Sequence, residues 1–389
     1  MNLTVREREI VALLRSEPLL DAAALAERIG STRAAVSVHL SNLTRKGVLL
    51  GRGYIVRPEA QSVVVVGGAV LDAKMRIAVA PVLGTSNPGT TSSTVGGVGR
   101  NIAENLARLG SPTVLVAAVG DDLAGRTVLA RTEAAGVDVR HMVTSAHPTG
   151  TYSAVLDDGG DLLVAVADMR ATDELTVADL EVVPSLLGGA DALVVDANLD
   201  ATVLRWLLSA AADAGLPGVF EPVSVAKATE AATVFDGTVA VHTITPNVDE
   251  LAALVGRPVS PEVADVVAAA GDLHDRGVEH VWVRRGTRGS LLSVAARPTG
   301  DGPAPSRRVV IVAAPDTTVA DVTGAGDAMT AGYVHALLAG EDVIEACRFG
   351  QVLAGLTVAS ADTVRPDLTA ALVAAHLTPT QPATEELDR

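Results

Sequence analysis

The chain has 389 residues, 48 % of them hydrophobic, and a formal net charge of −16. That apolar fraction excludes a chain disordered throughout, and the single cysteine, Cys347, excludes both an intrachain disulfide and a zinc site built on two or more of its own thiolates. No stretch approaches the roughly 18 uninterrupted apolar residues of a membrane span, and Arg6-Glu7-Arg8-Glu9 stands where a secretory signal needs an apolar core. The expected location is the cytoplasm, with no membrane partner. The length predicts two or three domains, or one large α/β domain with a small companion.

Charge is divided unevenly. Residues 1–57 hold nine basic and five acidic side chains, a local +4, so the remaining 332 residues carry −20. A split of this kind points to two parts with different partners. In the first part, Arg6–Leu14 places Ile10, Val11, Leu13 and Leu14 at helical spacing. Asp21 is set to cap a short helix, Ala22–Ile29, which Gly30 stops. Ser31-Thr32 opens a third helix with Val36, Leu40 and Leu43 on one face, and the apolar runs around Gly51 and Gly53 predict a β-hairpin. This order resembles a winged helix-turn-helix domain over residues 1–57. The resemblance implies that the third helix enters the major groove of duplex DNA through Ser31, Thr32, Arg33, Ser37 and His39, with Arg52 on the wing near phosphate. The alternative is a helical module used for packing or oligomerisation. Residues 58–61 read as a linker, Pro58 breaking the preceding strand.

From residue 62 the pattern changes. Val63-Val64-Val65-Val66 is a β-branched run suited to a parallel strand buried on both faces. Similar runs recur at Thr113–Ala118, Ala192–Val195, Gly218–Phe220, His280–Val283 and Val309–Val312. Helical patterns separate them, among them Asn101–Leu109, Val203–Ala214, Val263–Arg276 and Ala328–Leu338. The alternation predicts an α/β/α sandwich on a mostly parallel sheet. Leu71–Val82 and Thr151–Ala167 interrupt it. The second alternates about Asp157-Asp158-Gly159-Gly160-Asp161 and predicts an antiparallel hairpin standing off the sheet as a lid, formed from about 71–95 and 151–168. The last nine residues, Gln381–Arg389, read as frayed.

Four segments carry candidate chemistry. Asp321-Val322-Thr323-Gly324-Ala325-Gly326-Asp327 precedes an apolar helix expected near Ala328. Glycines there let backbone N–H groups close on an anion at a helix N-terminus. Asp327 would repel that anion unless it takes the proton of an attacking hydroxyl. The alternative is an N-capping aspartate after a glycine turn. Val95-Gly96-Gly97-Val98-Gly99-Arg100-Asn101 precedes a second helix, Ile102–Leu109, and Asn101 offers both donors and acceptors to hydroxyls, or simply caps the helix. Asp72, just past the first strand, lies where open α/β sheets bind ligands and can accept from two vicinal sugar hydroxyls; as a turn residue it would do neither. Asn247 and Glu250, three apart at another helix start, suit a hydrated magnesium ion or a plain capping box.

Together these residues resemble the PfkB-type, ribokinase-like family of carbohydrate and nucleoside kinases over about residues 62–375. The resemblance implies a ribokinase-like α/β/α sandwich with a small β-lid, in a kinase domain over 62–380. It implies transfer of the ATP γ-phosphate to a sugar hydroxymethyl with Asp327 as base and Gly324, Ala325 and Gly326 as anion hole. It implies Asp72, Gly96, Gly97 and Asn101 as sugar contacts, and nucleotide contacts from Asn247, Arg285, Gly286, Gly289, Gly324 and Gly326. Mg2+ would be held by Asn247 and Glu250, partly through water, and a monovalent cation such as K+ by Asp321 and Thr323. Within the family, Thr151–Met169, Ser86-Asn87-Pro88-Gly89-Thr90 and Glu221-Pro222-Val223-Ser224-Val225-Ala226-Lys227 resemble pseudouridine kinases. Two residues depart from the family pattern: Gly99 stands where alanine is expected, and Arg285 where threonine or another small residue is common.

The reading that follows is an ATP-dependent kinase acting on the 5′-hydroxyl of pseudouridine, expected as a homodimer. Tyr152 would stack on the base and Lys227 would meet its carbonyls, or Lys227 is a solvated helix lysine. The alternatives are a kinase for another nucleoside or sugar (ribose, a ketose, inosine, adenosine) and a transcriptional regulator whose kinase-like domain only senses its ligand.

Overall fold

The computed structural model describes residues 3–17, 20–46, 48–49, 62–296, 307–378 and 382–387. The expected hairpin strand ending at Val56, Arg52 itself and the 58–61 linker lie outside these residues. The chain divides into two compact units, Met1–Gln61 with Gly188–Ala190, and Ser62–Leu187 with Asp191–Arg389.

The first unit holds three helices, Val5–Ser16, Ala22–Arg28 and Arg33–Arg45. Each start is fixed by a side-chain cap. Thr4 and Glu7 form a reciprocal capping box, Asp21 accepts from the Ala23 and Ala24 amides, and Thr32 accepts from the Ala35 amide. Ile10, Leu14, Leu25, Val36, Leu40 and Leu43 close one apolar core. On the third helix Arg33 and Ser37 are exposed, whereas the Thr32 hydroxyl is occupied as the cap and the Ser37 hydroxyl donates to the Arg33 carbonyl at 2.9 Å.

The second unit is built on β1 (Val63–Val66), β2 (Val70–Ile77), β3 (Gly89–Gly96), β4 (Thr113–Val116), β5 (Ala118–Gly120), β6 (Val143–Ser145), β7 (Thr151–Leu156), β8 (Leu162–Asp168), β9 (Ala192–Asp196), β10 (Gly218–Glu221), β11 (Val241–Ile244), β12 (Val278–Arg284), β13 (Ser290–Val294), β14 (Arg308–Val312) and β15 (Thr384–Leu387). Nine strands form the main sheet in the order β15-β14-β13-β12-β11-β10-β9-β1-β4. From β4 to β12 neighbouring strands are parallel, with Val65 registered against Leu115 on one side and Val194 on the other. The last three strands pair antiparallel. All four β1 valines are buried, which is why the run carries no polar alternation; a buried valine contributes roughly 1.5–3 kcal/mol.

Four strands form a separate sheet, β3-β2-β7-β8. β7 and β8 form the antiparallel hairpin, and β2 lies parallel to β7 and antiparallel to β3. The structure departs from the sequence reading at three boundaries. β2 ends at Ile77 instead of running to Val82. Thr384–Leu387 is no frayed end: it pairs with β14, Val309 opposite Leu387. The two glycine-motif helices start earlier than expected, at Val98 and Ala325, which puts Asn101 and Asp327 inside the first turn of each.

Candidate active site

A cavity of about 1100 Å³ opens at the carboxyl ends of the parallel strands. Four of these strands deliver a side chain near their ends: Asn198 just past β9, Glu221 on β10, Asn247 past β11 and Arg284 on β12. The smaller sheet contributes Asp72 and Tyr152, opposite each other in the β2–β7 register. Two helix N-termini close the floor, both entered through glycines in the left-handed half of backbone space, Gly97 at φ +97° and Gly324 at φ +79°.

Asp327 lies on that floor. It is 8 % exposed, and its Oδ2 accepts from Asn101 Nδ2 at 2.9 Å. Asn101 is therefore no helix cap; the cap position belongs to Gly97. Burial pushes the Asp327 carboxyl up to about 8, with Glu221 and Asp196 adding to the rise and the Asn101 hydrogen bond and Arg284 opposing it. Gly324, Ala325 and Gly326 line the cavity beside it at the start of the Ala325–Leu338 helix. The first N–H groups of a helix have no intrahelical partner and present positive dipole to an anion.

Asp72 is raised by burial, against the pull of Lys74 and Arg100. Gly96 does not line the cavity but makes room for this carboxylate: a Cβ there would fall 2.0 Å from Asp72 Oδ2. Gly99, in place of the expected alanine, brings the helix start close to the first strand; a Cβ would lie 3.0 Å from Gly67 Cα and 3.1 Å from Asp196 Oδ2.

Several site residues escaped the sequence reading. Asp196 is fully buried and accepts from the amides of Gly68 (2.8 Å), Gly99 (2.7 Å) and Asn198 (2.9 Å). It ties the turn after β1 to the helix that carries Asn101. The signal was available, since Asp196 ends the apolar run of β9. Arg284 is the second omission. Its Nη2 donates to Glu221 Oε1 at 2.8 Å and to Glu250 Oε2 at 2.9 Å, and Nη1 donates to Glu221 Oε2 at 3.2 Å. Glu221 also accepts from the hydroxyls of Thr245 (2.5 Å) and Thr330 (3.1 Å). Val223 sits at φ +68°, a region β-branched residues rarely enter, in a tight turn closed by the Ser224 amide on the Pro222 carbonyl at 2.7 Å. Strain of that kind gathers at ligand sites.

Other expected residues fall differently. Arg285 does not line the cavity: it follows the end of β12, and its Nη2 donates to the Pro261 carbonyl at 3.1 Å; the arginine in the cavity is its neighbour Arg284, the last residue of that strand. Lys227 does not line the cavity either; its ammonium pairs with Asp173 at 3.0 Å and Glu230 at 3.5 Å. Gly286 and Gly289 do line it. Asn247 and Glu250 face it while forming a reciprocal capping box, each amide on the other's side chain at 2.8 Å. Asp321 accepts from the Thr323 amide (2.8 Å) and hydroxyl (2.7 Å), and of the two only Thr323 lines the cavity.

Comparison with known proteins agrees with this geometry. Residues 60–370 match the profile of pfkB family carbohydrate kinases, and residues 3–49 that of winged helix-turn-helix DNA-binding regions. The chain is 32 % identical over 366 residues to the uncharacterized sugar kinase YeiI of Escherichia coli (strain K12), covering 94 % of this chain and 96 % of that one. It is 33 % identical over 316 residues to the pseudouridine kinase of the same organism, covering 81 % and 96 %. A carbohydrate kinase from Agrobacterium tumefaciens superposes with a TM-score of 0.71 at 30 % identity, over 84 % of this chain and all of that one. Among the described residues no helix is long and apolar enough to cross a membrane.

Proposed function

The chain belongs to the pfkB family of carbohydrate kinases, and on that premise we propose that it transfers the γ-phosphate of ATP to the 5′-hydroxyl of pseudouridine. The observation that carries this reading is the placement of Asp327: a buried carboxyl in the first turn of the Ala325–Leu338 helix, fixed by Asn101, with Asp72 lining the same cavity. In the reaction the acceptor hydroxyl oxygen attacks the γ-phosphorus, its proton passes to Asp327, and the bond to the β-phosphate oxygen breaks to release ADP. Asp72 holds the vicinal hydroxyls of the ribose, and Tyr152 offers the base a stacking face at the cavity mouth. The first-turn N–H groups at Gly324–Gly326 hold the negative charge of the transferring group. Glu250 and Asn247 fit a magnesium ion held partly through water, because their direct lone pairs are engaged by the capping box and by Arg284; when bound, Mg2+ neutralises phosphate charge. Residues 1–57 would carry duplex-DNA binding, joined by 58–61 to a kinase domain over 62–380.

The equal likeness to a sugar kinase of unassigned substrate supports a second reading, with another nucleoside or a sugar as acceptor. An ATP-consumption screen over pseudouridine, uridine, cytidine, inosine, adenosine and ribose decides between them. Pseudouridine first by a clear margin supports the leading reading. Another acceptor first replaces it, and turnover of none favours a ligand sensor.

A further inference from the structure

Arg284 occupies an unusual place for a buried cation. Its side chain is 17 % exposed and lies between two carboxylates, Glu221 and Glu250, exposed by 3 % and 5 %. It also lies against the anion-holding turn: a Cβ on Gly326 would come 2.2 Å from Arg284 Nη1. A guanidinium has five N–H donors. Three are used on the two glutamates. Among the described residues, Nε–H and one N–H of Nη1 carry no hydrogen bond, and Nη1 is the nitrogen that faces Gly326.

The two glutamates are held unequally. Glu221 is fixed from several sides, by both Arg284 nitrogens and by the hydroxyls of Thr245 and Thr330. Glu250 meets Arg284 through one nitrogen, and the same Oε2 accepts from the Asn247 amide at 2.8 Å, a bond it can keep when Arg284 leaves. If Glu250 is drawn off, Glu221 keeps the guanidinium aimed at the turn. The planar fork then matches the geometry of a phosphate, which an arginine can grip through two parallel N–H bonds.

We propose that Arg284 is the cation that contacts the terminal phosphate of the bound nucleoside triphosphate, with Glu221 as its positioning residue, and that it exchanges Glu250 for that phosphate when the nucleotide enters. This rests on the phosphotransferase reading of the same cavity. It assigns Arg284 a ligand that ATP has and ADP lacks, so the test is one of binding and needs no acceptor.

Calorimetry should compare ADP with the non-hydrolysable β,γ-imido analogue of ATP, both with Mg2+, on wild type, Arg284→Lys and the charge-compensated double variant Arg284→Met/Glu221→Gln. The double variant avoids leaving Glu221 charged and unpaired in the interior; a circular-dichroism melt verifies that each variant is folded. The double variant should lose at least about ten-fold in affinity for the triphosphate analogue, the loss expected from one charge-assisted bond, with ADP within two-fold of wild type. Arg284→Lys should lie between. Equal loss for both nucleotides, or loss for neither, overturns the proposal and leaves Arg284 as an ion pair of the fold. Wild type that binds neither nucleotide overturns the phosphotransferase premise itself, a failure distinct from the first.

Discussion

Asn101 and Asp327, 226 positions apart in sequence, meet side chain to side chain on the cavity floor, with Asn101 Nδ2 donating to Asp327 Oδ2 at 2.9 Å. The bond favours the ionised carboxylate, so it works against the burial that raises the group. Asn101→Leu should remove this help. The alkaline rise of kcat/KM should move to still higher pH, and the rate at neutral pH should fall. A profile that does not move would show that Asn101 serves only to contact the acceptor.

The same raised carboxyl makes a stability prediction with a definite sign. Asp327 titrates near 8 in the fold against an unperturbed 3.8, so the folded state binds the extra proton between those values. Its contribution is complete below the unfolded value and is lost as pH rises through about 8. Asp327→Asn carries no titrating group, so its melting temperature should gain on wild type as pH rises from 5 to about 9. Parallel melting curves for the two proteins across that range would contradict the buried, raised state.

Asp72→Ala should weaken acceptor binding by about 1.5–3 kcal/mol for each hydrogen bond lost to the charged acceptor, with binding of the ATP analogue unchanged. Gly96→Ala should reproduce much of that loss without touching a ligand, because its Cβ would collide with the Asp72 carboxylate. Both are read by calorimetry with pseudouridine. Weakened nucleotide binding with intact acceptor binding would place Asp72 in the other half of the cavity.

The charge split bears on DNA. With +4 on residues 1–57 and −20 elsewhere, only the first unit can attract duplex DNA. A single small module buries little surface, so a dimer is expected on a two-part site. In a gel shift with the chain's own upstream region, binding should fall steeply with salt, each neutralised phosphate releasing about 0.9 counterion. It should be lost in Arg33→Ala/Arg52→Ala, with kinase activity retained. Equal, negligible shifts for both proteins would leave the first unit as a packing module.

The legible parts of this molecule were those with a local signal. The β1 valines, the capped helices of the first unit and the two glycine turns announce themselves within a few residues. β3 did not, because Thr90, Thr91, Ser92, Ser93 and Thr94 form an exposed strand with no apolar alternation. β15 was missed because Glu385 and Glu386 show no core face; it is held to β14 by backbone pairing and by the exposed Arg308–Glu386 ion pair. At the site, Asp327, Asp72 and Asn101 could be picked out from motif position. Arg284 could not. Its importance comes from Glu221 and Glu250, 63 and 34 positions away, and the motif pointed instead to Arg285, one residue beyond the end of β12.

The most direct test of the account is the pH dependence of kcat/KM for wild type and Asp327→Asn, measured with the best acceptor in the screen. This quantity reports groups of the free protein. Wild type should rise with pH and level off near 8, the value burial gives Asp327. Asp327→Asn should be slower by about 10²–10⁴ and show no such rise. An Asp327→Asn protein within a few-fold of wild type across the range would reduce Asp327 to a residue of the fold and contradict the mechanism.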